Sequence, residues 1–457
     1  WVDRTMVLIG IAEEFMRRRD VLWGMSAVGV LGAAGCQTAA IAGPVDANEA
    51  GIEAAFFYAF PLYEIARTGQ NRAQLPGLNK LGGRAVLSDH TSRQITAPNN
   101  DTVYSSAQLE LSGGPIEVTA PTETGRYFNI TFMDAFSDNF AGIGTRLTKG
   151  QGGAFWVVGP QWTGTAPAGV TVFRSSTNDV WMLGRVVVEG PSDLAAAKAV
   201  QDKIRIKPLS VGAPKPFGVK CTSSEDAANF LAVVNDMLAR SPGGLGHTAR
   251  AGNFAKVGIG AGATPSAELI AMWNAYLPKG LAKLKEKFIF RELVVNGWGY
   301  QEKGVGEASA SDYLRATIAL GGLAALPEAE AMYFQATTDE IGAALNGANK
   351  YVWRIPVGGV PADAFWSLTM YQAEADGRFF LVQNPINRFS VGDRTAGLVK
   401  NADGSIDILI QREQPTGALA ANWLPAAADT IRLSLRAYLP RAELRNRSWK
   451  VPPVRKV

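Results

Sequence analysis

Apolar positions recur every three or four residues over 46–68, where Ile52, Ala55, Phe56, Ala59, Phe60 and Tyr63 define one face of a helix. From about 84 to 190 the period shortens. β-rich runs at 116–119, 127–132, 155–158, 170–173 and 180–188 are punctuated by turn signals such as Ser112-Gly113-Gly114-Pro115, the spacing of an antiparallel sandwich. Helical periodicity returns over 193–203, 224–239 and 265–287, with Asp193 and Ser224 as expected N-caps. The Gly- and Ala-rich stretch 241–262 reads as a long loop, and 311–323 and 327–345 read as two further helices. β runs resume at 352–355, 365–371, 379–382, 406–410 and 430–439. The pattern predicts a mainly β fold with helices: an N-terminal helix plus β sandwich over 46–190, a helical module over 191–349 and a second β domain over 350–457. Strand–helix alternation of the Rossmann kind and a Gly-rich phosphate loop are both missing from the sequence.

The first 36 residues carry a different signal. Arg17-Arg18-Arg19 precede an apolar run over 23–35, the arrangement of an export signal, and the run is shorter than the ~20 residues of a membrane span. Arg18-Arg19-Asp20-Val21-Leu22 is similar to a twin-arginine signal. Ala33-Ala34-Gly35-Cys36 resembles a lipoprotein processing site with Cys36 as the lipid-bearing residue, Ala33 standing where leucine is usual. Residues 1–36 are therefore expected to be upstream sequence and export signal, and the mature protein periplasmic or envelope-bound, with a lipid anchor compatible with the pattern.

Composition sharpens the class without naming a reaction. Of 457 residues, 47% are hydrophobic and 19% charged, which excludes a largely disordered chain. The net charge of +4 is concentrated in 440–457, where six basic residues face only Glu443; beside a near-neutral body this gives no expectation of nucleic-acid binding. Two cysteines exclude a disulfide scaffold, and Cys221 reads as a small buried apolar residue. Every histidine-dependent mechanism must use His90 or His247.

The densest polar cluster is Pro98-Asn99-Asn100-Asp101-Thr102-Val103-Tyr104-Ser105. It is either a side-chain-capped turn entering a strand or a carboxylate and two amides presented at a site. In the second case Asp101 and Asp134 would divide general acid and base roles, Arg126 or Arg146 would counter charge, and Tyr104 would donate a proton. Asn99, Asn100 and Asp101 also supply oxygen ligands suited to calcium; no other cofactor is expected. His90 is the better base for a serine hydrolase, His247 being expected in solvent, although no Gly-x-Ser-x-Gly elbow occurs. A non-enzymatic alternative encloses a ligand between the two β domains, with Trp156, Trp162, Trp181, Trp366 and Trp423 as candidate lining residues.

The 98–105 string resembles the signature of a bacterial family catalogued as domain of unknown function 1254, supported by Tyr58-Ala59-Phe60-Pro61, Leu109-Glu110-Leu111-Ser112, Arg126-Tyr127, Asp134 and Ile143-Gly144-Thr145-Arg146. Phe365-Trp366-Ser367-Leu368-Thr369-Met370-Tyr371, Asn401-Ala402-Asp403-Gly404-Ser405, Asn422-Trp423-Leu424-Pro425 and Leu435-Arg436-Ala437-Tyr438 resemble its usual partner, domain of unknown function 1214. Gln372 departs from the acid that often follows the tyrosine there. The resemblance implies two antiparallel β sandwiches, the first Ig-like and the second jelly-roll-like, with a helical module between them. The expected function is an exported hydrolase or lyase acting on a small or oligomeric substrate, with a binding or envelope protein and a His90-based esterase as alternatives. Asn99, Asn100, Thr102, Arg146, Trp423 and Arg436 are the expected substrate contacts, and self-association is compatible with the sequence.

Overall fold

A computed structural model describes residues 43–93, 97–210, 212–287, 293–374 and 378–457; Cys36 and the export-signal features lie outside them. Helix α1 (Glu49–Gln74) begins at Asn48, whose Oδ1 accepts from the Gly51 N–H at 2.9 Å. The chain then builds the first sandwich. One antiparallel sheet has the order β1 (Gly82–Arg84), β2 (Thr102–Glu110), β8 (Asp179–Val187), β4 (Phe128–Met133), β5 (Asn139–Gly144). The facing sheet has the order β7 (Thr171–Arg174), β6 (Gly153–Val158), β3 (Ile116–Ala120), β9 (Arg205–Pro208), with β6 and β7 parallel. Val103, Leu109, Phe128 and Ile130 meet Ile116, Val118 and Val157 in the core between them. Helix α2 (Leu194–Gln201) follows β8; the expected cap Asp193 makes no cap bond because Arg126 holds its carboxylate.

Helices α3 (Ala227–Ala239), α4 (Ala267–Lys287) and α5 (Asp312–Gly321) pack around α1. The cap of α3 is Asp226, not Ser224. The stretch expected as a long loop contains a 3-10 segment, Thr248–Val257, whose Phe254 stacks on Tyr58 with ring centres 4.4 Å apart.

The second sandwich pairs β10 (Leu293–Val295), β11 (Trp298–Tyr300), β12 (Ala331–Ala336), β19 (Ile431–Pro440), β14 (Ala362–Ala373) and β15 (Phe379–Phe380), in that order, with β16 (Ser390–Gly392) also beside β14. Its other sheet runs β18 (Trp423–Pro425), β17 (Ile406–Gln411), β13 (Tyr351–Ile355), β20 (Val454–Lys456). The short helix α6 (Ala442–Arg445) follows β19, and the basic tail supplies β20. The helix expected over 327–345 is instead strand β12. Met332, Phe334 and Ala336 point into the sandwich core while Ala331 and Tyr333 face the first sandwich, so both faces are buried and the period-2 signal is lost. The β10–β11 hairpin turns at Asn296-Gly297, with φ of 55° and 78°. Strands from within 191–349 thus belong to the second sandwich.

The outer face of the β1-β2-β8-β4-β5 sheet is shared. One end lies under the helices, where Arg72 sits 4.0 Å over the Trp181 ring. The other end meets the outer face of the β12-β19-β14 sheet through Tyr127, Val187, Leu326, Ala331, Phe365 and Tyr438.

Candidate functional site

Strand alternation decides which side chains meet where the sandwiches face each other. The pairings put Thr102 and Tyr104 of β2, Arg185 of β8 and Asn129 and Thr131 of β4 on the outer face of the first sheet. From the second sheet come Tyr333 of β12, Ser434, Arg436 and Tyr438 of β19, and Ser367, Thr369 and Tyr371 of β14. Residues 97–101 cross between them. Asn99 Nδ2 donates to Tyr438 Oη at 2.7 Å, and Tyr371 Oη donates to the Pro98 carbonyl at 2.8 Å. Asp101 accepts from Ser367 Oγ at 2.6 Å on one oxygen and from Arg394 Nη2 at 2.8 Å on the other. Arg394 also donates to the Val188 carbonyl at 2.7 Å and lies 4.2 Å over the Phe365 ring. Both Asp101 oxygens are therefore engaged, and the residue ties the two sandwiches together.

Two guanidinium groups in this seam are held differently. Arg436, 6% exposed, donates to Tyr371 Oη at 2.8 Å, Thr369 Oγ1 at 3.1 Å and the Ala97 carbonyl at 3.2 Å. Ala97 has a φ of 49°, a left-handed conformation that costs a non-glycine residue roughly 1–3 kcal/mol. Arg185, 5% exposed, donates to Thr131 Oγ1 at 3.3 Å and the Ala324 carbonyl at 2.9 Å. Among the described residues neither has a carboxylate within ion-pair distance. The Tyr104 ring centre is 5.8 Å from Arg185, and Tyr333 stands within the electrostatic reach of both arginines. Burial pushes the Tyr333 and Tyr438 hydroxyls up from their ordinary value, which keeps them protonated at neutral pH. The seam is thus a buried, cationic space lined by hydroxyls.

Of the residues singled out from sequence, Asn99, Asp101, Thr102, Tyr104 and Arg436 come together here. The others do not. Asp134 follows β4 at the far end of the sheet. Asp101 is level with Val188 and Asp134 with Val180, which at ~3.3 Å per strand residue is roughly 25 Å of separation. Paired-carboxylate hydrolysis requires about 5–10 Å, so Asp101 and Asp134 cannot share that work. Asp134 accepts from the Phe136 and Asp138 N–H groups and from Ser176 Oγ; burial, then the adjacent Asp138, push its pKa up to about 6. Arg126 holds Asp193 and the Val187 carbonyl. Arg146 donates from Nε to Glu330 at 2.6 Å, and the same carboxylate accepts from Tyr127 Oη at 2.8 Å. Gly144, just before Arg146, lets the end of β5 lie close against β4: its φ is 144°, and a Cβ there would lie 2.3 Å from the Phe128 carbonyl oxygen.

Of the oxygens offered for calcium, Asn99 Oδ1 accepts from the Asp101 N–H and both Asp101 oxygens accept from Ser367 and Arg394, while Asn100 donates from Nδ2 to the Ser88 carbonyl. No cluster of His, Cys, Asp and Glu fit to hold a metal occurs among the described residues. His90 Nδ1 is buried without a hydrogen-bond partner and its ring lies 6.3 Å from Phe389, while His247, expected in solvent, bonds Asp138 at 3.0 Å. Trp423 is buried in the far sheet, its indole N–H donating to the Gln411 carbonyl, and none of the other four candidate tryptophans borders the seam. Half-buried Cys221 is pushed up to about 12 by burial, which leaves it an inert thiol.

Sequence reasoning missed Arg185, Tyr333, Ser367 and Arg394. A signal existed for the first: Arg185 is the lone charge inside the apolar run 180–188, and a buried charge is rare without a reason.

Comparison with known proteins supports this architecture. The chain matches "Protein of unknown function (DUF1254)" over residues 78–208 and "Protein of unknown function (DUF1214)" over 330–442. The first match spans β1 to β9 and the second β12 to β19. No curated protein matches the chain. The crystal structure of the VPA0106 protein from Vibrio parahaemolyticus superposes with a TM-score of 0.72 at 23% identity, over 90% of this chain and 99% of that one, a likeness of fold. An uncharacterised Burkholderia cenocepacia protein gives a TM-score of 0.45 at 15% identity, over 88% of each chain. With both domains present in this order, the chain belongs to the two-domain DUF1254/DUF1214 family.

Proposed function

We propose that the protein binds a small organic anion in the seam between its sandwiches, at Arg185 and Arg436. One observation carries this reading: two buried guanidinium groups on facing sheets donate hydrogen bonds only to neutral groups, Arg436 with Asp101 in electrostatic reach and Arg185 with no carboxylate within ion-pair distance among the described residues. Burying a charge without an opposite charge is costly, and an anion accepting from both arginines would offset that cost through charge-assisted bonds. The hydrolase reading has no comparable support, because Asp101 is fully engaged and Asp134 is remote. The proposed location is the periplasm or cell envelope, a reading carried by residues 17–36 alone.

Calorimetric titration with acetate, succinate and citrate tests the proposal. At least one should bind, and Arg185→Met and Arg436→Met should each weaken it tenfold or more. Equal affinity in Arg185→Met and the parent, or silence with all three anions, overturns it.

A further inference from the structure

A cleft of about 490 Å³ opens beside β5, within the ~300–1,000 Å³ range of small-ligand sites. Its walls are of two kinds. Phe140, Leu147, Phe155 and Phe173 make an apolar side, Phe155 and Phe173 stacked with ring centres 5.7 Å apart. Thr131 lines the cleft too, and it is the same hydroxyl that accepts from Arg185. Glu330 also borders the space, but Arg146 and Tyr127 hold its carboxylate, so that wall presents no free negative charge to repel an anion. Arg185 does not itself line the cleft; Thr131 is the wall residue through which the apolar space adjoins that buried cation, and Arg146 is the cation on the wall itself.

Resting on the anion site proposed above, we infer that the ligand is amphipathic: a carboxylate carried on an apolar chain, its head toward Arg185 and its body against Phe140, Leu147, Phe155 and Phe173. A polar dianion without an apolar body would leave that wall unused.

The test is a titration series of butyrate, hexanoate, octanoate and decanoate against the parent, Arg185→Met and Leu147→Asp. Leu147 is 44% exposed at the lip, so its replacement leaves the core intact. Affinity should rise with chain length, by up to about fourfold per buried methylene. Leu147→Asp should flatten that rise while butyrate binding persists, and Arg185→Met should weaken every member. Butyrate bound through Arg185 with no gain toward decanoate overturns the amphipathic ligand and leaves the anion site standing. A length-dependent gain that Leu147→Asp does not alter puts the chain elsewhere and also overturns it. No binding of any member, with acetate, succinate and citrate equally silent, overturns the anion site itself.

Discussion

Strand β8 carries two buried charges that the molecule treats in opposite ways. At one end Asp179 receives Arg240 through two bonds of 2.7 and 2.8 Å, both side chains almost fully enclosed. The neighbouring network is equally closed: Asp138 takes Arg315 at 2.9 Å and His247 at 3.0 Å, and Asp312 takes Arg250 at 2.6 Å and Arg315 at 3.2 Å. Six residues along the same strand, Arg185 has a threonine hydroxyl and a carbonyl oxygen. A closed network is part of the architecture, because each charge is already answered by the chain. Arg185, with no carboxylate within ion-pair distance among the described residues, is where the proposed anion would supply the missing charge.

The largest expected effect lies in the closed region. Asp179→Ala leaves Arg240 charged, buried and short of its partner, and should cost about 3–5 kcal/mol of unfolding free energy by urea denaturation. Adding Arg240→Met should recover much of that loss. A cost below ~1 kcal/mol would remove the distinction between the two regions.

Much of this arrangement was legible in the chain. Helix α1, the strand runs of both sandwiches and the turn-rich spacing between them follow from local periodicity, and the 98–105 cluster lies at the seam. What failed depended on long-range pairing. Strand β12 is buried on both faces, so its apolar run carries no alternation and passes for a helix. Asp101 and Asp134 look interchangeable in sequence, yet the registers with β8 set them at opposite ends of one sheet. His247 sits in a Gly-rich stretch that suggests solvent, and only the fold brings Asp138 to it. Arg185 and Tyr333 are about 150 residues apart in a chain of 457, and no local pattern signals that they face each other.

A smaller effect separates the acids of the closed region by pH. Burial and Asp138 push Asp134 up to about 6, whereas Asp138 is held below its ordinary value because its bond to His247 and the charge of Arg315 outweigh its burial. A carboxyl raised on folding binds its proton more tightly in the folded state, so its contribution is greatest below the unfolded value of ~3.9 and declines as pH rises through about 6. The decline should amount to roughly 3 kcal/mol in all, about 2 kcal/mol of it above pH 4.5. Asp138 stays ionised across that window and does not mask it. Unfolding free energies measured between pH 4.5 and 7 should fall less steeply in Asp134→Asn than in the parent; parallel slopes would show that Asp134 ionises normally.

The smallest effect is the most discriminating. Arg185→Met keeps much of the volume of the side chain, though it is two atoms shorter, while removing a buried charge. It also removes two hydrogen bonds from a charged donor to neutral acceptors, worth about 1.5–3 kcal/mol each, and leaves the Ala324 carbonyl to find another partner. The desolvation cost of the guanidinium is relieved at the same time, since no carboxylate among the described residues lies within ion-pair distance of it. These terms oppose each other, so the variant should unfold within ~1 kcal/mol of the parent in anion-free solution. Saturating octanoate should then separate the two, because a ligand that binds only the folded state stabilises it by mass action and the variant has lost the cation that holds the head group. A loss near that of Asp179→Ala without any anion would make Arg185 another structural charge, and β8 would carry one kind of buried ion instead of two.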